Sequence, residues 1–120
     1  MAQAYADGMA EYLDEDAARA DGYTIEHHPE RREFALVNGG EVRGVAHYSL
    51  YGGGGESTDD GAIIDFDHTF VSPQWRGTGL SEVLARHALT DEIVRGRRIH
   101  ASCSFIAVYL RRHPELRSGG

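Results

Sequence analysis

The spacing of apolar positions changes character twice along the chain. Across residues 2–20, Tyr5, Met9, Leu13, Ala17 and Ala20 recur at helical intervals, which predicts a loosely packed helix or, given the terminal position and the run of acids, a partly disordered extension. From residue 23 the period shortens to that of strands. Tyr23 to His28 and Arg32 to Val37 read as two short strands, and Asn38-Gly39-Gly40-Glu41 supplies residues that tolerate the positive φ angles of a tight hairpin. Val42 to Tyr51 continues the meander with Val42, Gly44, Ala46, Tyr48 and Leu50 on one face. Gly52 to Gly61 breaks it, and Ala62 to Val71 predicts the next strand. Helical spacing then returns: Leu80, Val83, Leu84 and Ala88 mark the buried face of a helix over Leu80 to Arg95, with Gly96 as its stop. Arg97 to Ser102 predicts a further strand, and Phe105 to Arg112 a short helix ended before Pro114. The expected organisation is an acidic extension over residues 1–22, one α/β domain over 23–116 and a tail over 117–120.

Composition narrows the chemistry. With 120 residues, 41% hydrophobic and 26% charged, the chain has the balance of one packed domain. No apolar run reaches bilayer-spanning length, and Asp7, Glu11, Asp14, Glu15 and Asp16 are the wrong charge for a signal peptide, so a cytoplasmic location without a membrane partner is expected. The net charge of −7 is concentrated before residue 31, and no basic run suits a nucleic-acid partner. All 12 basic residues are Arg, which removes Schiff-base chemistry and a Walker-type phosphate lysine. The lone Cys103 excludes an internal disulfide framework. His27 and His28 are strand neighbours facing opposite ways with no third ligand spaced to join them, so no metal is expected.

Two glycine-rich stretches invite a phosphate reading. Gly52 to Gly55 is followed by Glu56, Asp59 and Asp60 and leads into a strand, which disfavours an anion. Gln74-Trp75-Arg76-Gly77-Thr78-Gly79 instead runs directly into the helix beginning at Leu80, whose first backbone N–H groups lack intrahelical acceptors and carry partial positive charge. Glycines at 77 and 79 allow an anion close approach, and Arg76 is within reach of a phosphate; a tight turn with no ligand fits the same six residues. The dinucleotide fingerprint fails, because Glu82 stands where a third small residue belongs and the preceding strands are antiparallel in character.

Gln74, Gly77 and Gly79 match the coenzyme A loop of the GNAT N-acetyltransferases, which this segment closely resembles. The resemblance extends to the short single-domain branch through His68-Thr69-Phe70-Val71, Ser102-Cys103-Ser104-Phe105 and Arg112-His113-Pro114-Glu115, and covers Tyr23 to Leu116. It implies an α/β fold with a mixed, mostly antiparallel sheet, a splayed strand pair, a coenzyme loop leading into a central helix and a short C-terminal helix. It also implies that acetyl-CoA is the cosubstrate. The main chain of Arg76, Gly77, Thr78, Gly79 and Leu80 would hold the pyrophosphate, Gln74 belongs to the loop, and Phe70 and Val71 would face the pantetheine arm. The implied activity is transfer of an acetyl group to an amine of a protein, peptide or small molecule. A non-catalytic acyl-CoA-binding or protein-interaction module of the same fold is the alternative, and the oligomeric state is left open.

Transfer to an amine requires a neutral nucleophile, a polarised thioester carbonyl and a proton for the departing thiolate. Strict alternation puts His68 with Ile64, Phe66 and Phe70 on one face, and Asp65 and Asp67 with Ile63, Thr69 and Val71 on the other. His68 is therefore either a base or a hydrogen-bonded core histidine. Tyr109 holds the place where many GNAT enzymes carry a tyrosine acid, and helical spacing equally makes it core. Cys103, at the end of a strand, is either a nucleophile that takes the acetyl group first or a small buried apolar group.

Overall fold

The computed structural model describes residues 12–51, 63–75 and 77–118. Five strands, β1 (Thr24–His28), β2 (Glu33–Asn38), β3 (Glu41–Tyr51), β4 (Ile63–Val71) and β5 (Arg98–Ala101), form one sheet in that order. The first four are antiparallel neighbours; β5 runs parallel to β4. A parallel return needs a crossover. Helix α2 (Leu80–Thr90) supplies it, between α1 (Glu15–Ala20) and the C-terminal helices α3 (Ser104–Arg112) and α4 (Glu115–Ser118). The β2–β3 hairpin closes at Gly39 and Gly40, whose φ angles of 64° and 79° are those of the expected glycine turn.

One sheet face forms the core. Phe34, Leu36, Ala46, Tyr48, Ile64, Phe66 and Ile99 pack against Leu80, Val83, Leu84 and Ala88 of α2 and against Ile106 and Leu110 of α3. Those α2 positions recur every three or four residues and make a single apolar stripe. The helix stops at Thr90, short of the Arg95 expected from periodicity. Thr90 Oγ1 donates back to the Arg86 carbonyl at 2.6 Å. Asp91 then turns extended, and its carboxylate accepts from the Ile93 N–H at 3.0 Å to open a 3-10 turn over Glu92–Val94.

At the other end, α1 begins only at Glu15, capped by the Asp14 carboxylate accepting from the Ala17 N–H at 2.8 Å. Leu13, expected on the buried face, is 72% exposed, and Tyr12 is buried instead. Residues 2–11 of the expected helix, the Gly52 to Gly61 connection, Ala62 and Arg76 lie outside the described residues. Among the described residues no helix is long and apolar enough to cross a membrane.

Two β-bulges shift the side-chain phase within strands that read as unbroken alternation. Between β2 and β3 the register passes from Leu36↔Gly44 to Val37↔Val42, leaving Arg43 as the extra residue. Gly44, Ala46 and Tyr48 face the core as expected, but Val42 is thrown to the other side and is 58% exposed. Between β3 and β4 the register passes from Tyr48↔Phe66 to His47↔His68, so Asp67 is the extra residue. Thr69 and Val71 consequently share the core face with Ile64 and Phe66. His68 and Phe70 face the opposite way with Asp65, which corrects the alternation read from the sequence.

Candidate active site

Strands β4 and β5 pair only from Ile63↔Arg98 to Phe66↔Ala101. The Cys103 N–H donates to the Phe66 carbonyl at 3.0 Å, and the chain then leaves the sheet to enter α3. Among the described residues, β4 continues to Val71 alongside β3 alone. The two strands therefore part at Phe66, with Thr69 and Cys103 across the opening, Sγ to Oγ1 at 3.6 Å. A buried carboxylate braces the fork: Asp65 accepts from the Ser102 N–H at 2.8 Å and from the Ser102 hydroxyl at 2.6 Å. It is 5% exposed, so both bonds form away from bulk water.

The loop after β4 turns through a 3-10 segment, Pro73–Trp75, into α2. Gly77 and Gly79 have φ angles of 83° and 95°, which explains glycine at both positions. A Cβ on Gly77 would meet nothing within 4 Å, so the space above it is open. Thr78 is buried; its hydroxyl donates to the Trp75 carbonyl and accepts from the Leu80 N–H at 3.3 Å. Its own N–H is bonded to the Trp75 carbonyl at 3.3 Å. Two amides of the expected seat, those of Thr78 and Leu80, thus have partners inside the loop. Helix geometry moves the available positive end one step on, to the N–H groups of Ser81 and Glu82.

A cavity of about 580 Å³ lies over this helix end. Gly77, Gly79 and Ser81 form its floor, and Phe105, Tyr109 and His113 of α3 and its cap form one wall. Glu82 and Arg86 project from α2 at its rim. Tyr12 and Leu13 close another side, and the Tyr12 N–H donates to the Thr78 carbonyl at 2.8 Å. His113 caps α3, its N–H bonded to the Tyr109 carbonyl at 3.0 Å, and its ring lies 4.3 Å from that of Tyr109.

On the far side of the sheet, the bulge gathers polar groups. Asp67 Oδ1 meets His47 Nδ1 at 2.8 Å, and Oδ2 accepts from the Ser49 hydroxyl at 2.6 Å. Burial works to raise the Asp67 carboxyl, but the bonds from Ser49 and His47 outweigh it and hold the group below the ordinary carboxylate value. His68, the register partner of His47, is exposed and has no hydrogen-bond partner among the described residues.

The expected site residues therefore divide. Gly77 and Gly79 line the cavity with Tyr109, which is 7% exposed. Leu80 and Val71 are core, Gln74 is exposed in the 3-10 turn, and Phe70 is 45% exposed on the face opposite the core. Cys103 is half-buried at the fork, and Arg76 lies outside the described residues. His27 turns inward to Tyr48 Oη at 2.7 Å, and His28 pairs with Glu26 at 3.1 Å. Sequence reasoning missed His47, Ser49, Tyr12 and Leu13. The one available signal for the first two was the odd interval between Phe66 and Val71, which two inward residues of an unbroken strand cannot have.

Comparison with known proteins gives a consistent family assignment. Residues 33–118 match the family model described as GCN5-related N-acetyl-transferase. The chain is 31% identical to mouse (Mus musculus) Protein NATD1 over 91 residues, 75% of this chain and 76% of that protein. It is 31% identical to the human (Homo sapiens) protein of that name over 75% of this chain and 74% of that protein. A solved aminoglycoside N-acetyltransferase AAC(6')-Iy in complex with CoA is 20% identical, covering 70% of this chain and 57% of that one, with a TM-score of 0.44.

Proposed function

The chain belongs to the GCN5-related N-acetyltransferase family, and from that premise we propose that it moves the acetyl group of acetyl-CoA to an amine that enters from the face of the sheet opposite α2. The observation that carries the reading is the chain connection from the fork to the cavity. One end of the cavity is a helix N-terminus floored by Gly77 and Gly79, and the same loop follows directly on the strand that parts from β5. A diphosphate suits the first feature, since anions are favoured by about 0.3–1 kcal/mol or more at such a terminus. A pantetheine arm suits the second, because the amide-bearing chain can lie along a strand edge with a vacant side.

The residues present fit the coenzyme. Side-chain-free positions at 77 and 79 let a phosphate reach the Ser81 and Glu82 amides, and the Phe105 and Tyr109 rings offer an apolar wall. Acetyl-CoA would bring an activated thioester to the fork. Cys103, 3.6 Å from Thr69 across the opening, is proposed as the group that takes the acetyl first. Tyr109 is proposed to give a proton to the departing sulfur, and the base is drawn from the imidazoles on the open face, His68 among them.

Thiol release measured with acetyl-CoA and a panel of amines tests the reading. Acceptor-dependent release is expected. Calorimetric binding of acetyl-CoA with no release from any amine would leave a binding module, and no binding at all would end both readings. Mass spectrometry after incubation with acetyl-CoA should find one acetyl added to the protein and lost in Cys103→Ala. Unchanged turnover in that variant would make Cys103 structural.

A further inference from the structure

We propose that His47, held by Asp67 at the β4 bulge, is the base that accepts the proton of a cationic alkylamine acceptor arriving on the open face of the sheet. The proposal rests on the acetyl-transfer reading and assigns it a proton acceptor and a substrate class.

The argument begins with where the bulge falls. Asp67 is the extra residue of β4, and the residue before it, Phe66, is the last to pair with β5 and carries the carbonyl that holds Cys103. The bulge thus follows directly on the mouth of the fork, with its side chain turned across the open face to His47 and Ser49 on β3. Neither carboxylate oxygen is left for substrate, because Oδ1 is bonded to His47 and Oδ2 to Ser49. Asp67 is a positioning residue. As an ionised carboxylate it accepts from Nδ1, which puts the ring proton on Nδ1 and leaves the lone pair on Nε2. That nitrogen belongs to a side chain 41% exposed, so it can be reached from solvent. His68 stands directly across β3–β4 with no partner among the described residues to orient it, and an unoriented imidazole is the weaker candidate.

The surroundings select a cation. Glu33 is the register partner of His47 on β2, Asp65 is that of Ser49 on β4, and His28 faces Glu33 from β1. An alkylammonium entering here meets the Glu33 carboxylate beside the imidazole, whose Oε2 also accepts from Arg31 at 3.3 Å, while the buried Asp65 spends both oxygens on Ser102. It passes one proton to His47 Nε2, and the freed lone pair forms the C–N bond at the carbonyl carbon of the acetyl thioester carried by Cys103 as its C–S bond breaks. The second proton leaves with the sulfur, and His47 returns the first to solvent.

The test compares two nucleophiles at pH 7: n-butylamine, protonated with a pKa near the lysine value of about 10.4, and hydroxylamine, already neutral. His47→Gln should lower thiol release with butylamine by about 10²-fold or more, the usual contribution of a general base. Release with hydroxylamine should fall by less than about tenfold, and calorimetric affinity for acetyl-CoA should hold. Asp67→Asn should give the same pattern with a smaller loss, and Asp67→Glu should restore part of it. Equal losses with both nucleophiles in His47→Gln, or none with butylamine, would overturn the assignment while the wild-type release still upheld acetyl transfer. Wild-type protein that released thiol with neither nucleophile would overturn both.

Discussion

β4 is one strand with two unlike halves. Ile63 to Phe66 lies between β3 and β5, with Ile64 and Phe66 fully in the core and Asp65 fixing Ser102 on the other face. Asp67 to Val71 has β3 on one side and the fork on the other, and its side chains point to a polar face, to Cys103 or into the base of the loop. The sequence of the strand changes at the same residue, from Ile-Ile-Asp-Phe to Asp-His-Thr-Phe-Val. The first half is paired on both sides, and the second carries the polar face and the opening to Cys103, joined by one extra residue that turns the second half over. A site at such a junction has ordered partners on one side only, which leaves the other for substrate.

Substitutions in the two halves should separate. Phe66→Ala should have the largest effect, destabilising the fold by about 3–5 kcal/mol in urea unfolding, as expected for removing a buried ring. Gly44→Ala tests the contact beneath the second half: a Cβ there would sit 2.8 Å from the Phe70 carbonyl and 2.9 Å from Val71 Cγ2. The β3 and β4 backbones must move apart, at about 1–3 kcal/mol, and acetyl-CoA affinity should fall as well. If affinity survived intact, the two halves would be less coupled to the loop than argued. Asp65→Ala should cost about 1–3 kcal/mol by stranding the Ser102 N–H, and faster hydrogen exchange at Ser102 and Cys103 would locate the loss at the fork.

The smallest effect concerns pH. Asp67 is held below its unfolded value, so the folded state binds fewer protons there. Its stabilisation is present above the ordinary aspartate pKa of about 3.9 and is lost as the pH falls through the lower folded value. Chemical unfolding from pH 6 down to 2 should show wild type and Asp67→Asn converging at the acid end, and parallel curves would mean that the bonds to His47 and Ser49 give no net stability. Tyr48 tests the core in the opposite sense. Burial foremost raises its phenol, against the opposing Arg32 charge, so the stability linked to it persists below about pH 10 and declines above.

Much of this architecture was readable from residue order. The hairpin at Gly39-Gly40, the helix opening after Gly79 and the inward face of α2 follow from local chemistry, because each is decided by residues a few positions apart. The phase of β3 and β4 was misread, since a bulge is settled between strands and leaves in the sequence little more than the odd interval from Phe66 to Val71. That is why Val42 was expected inside and His68 among the apolar residues. The end of α2 was missed for a similar reason: Ile93 and Val94 continue an apolar pattern, but the Thr90 and Asp91 side chains compete for the backbone and end the helix. The glycine turn into α2 was legible, as the positive φ angles of Gly77 and Gly79 show, yet which amides remain available depended on where Thr78 Oγ1 points.

The hydrogen bond from Tyr12 to the Thr78 carbonyl ties a segment lying well before residue 33, where the family match begins, to the glycine bend that opens α2. Boundaries drawn from that match would cut away one wall of the cavity and a brace of its floor. A trimmed protein could keep its sheet and still show weakened coenzyme uptake, and an expression tag placed close to Tyr12 would impose a similar handicap.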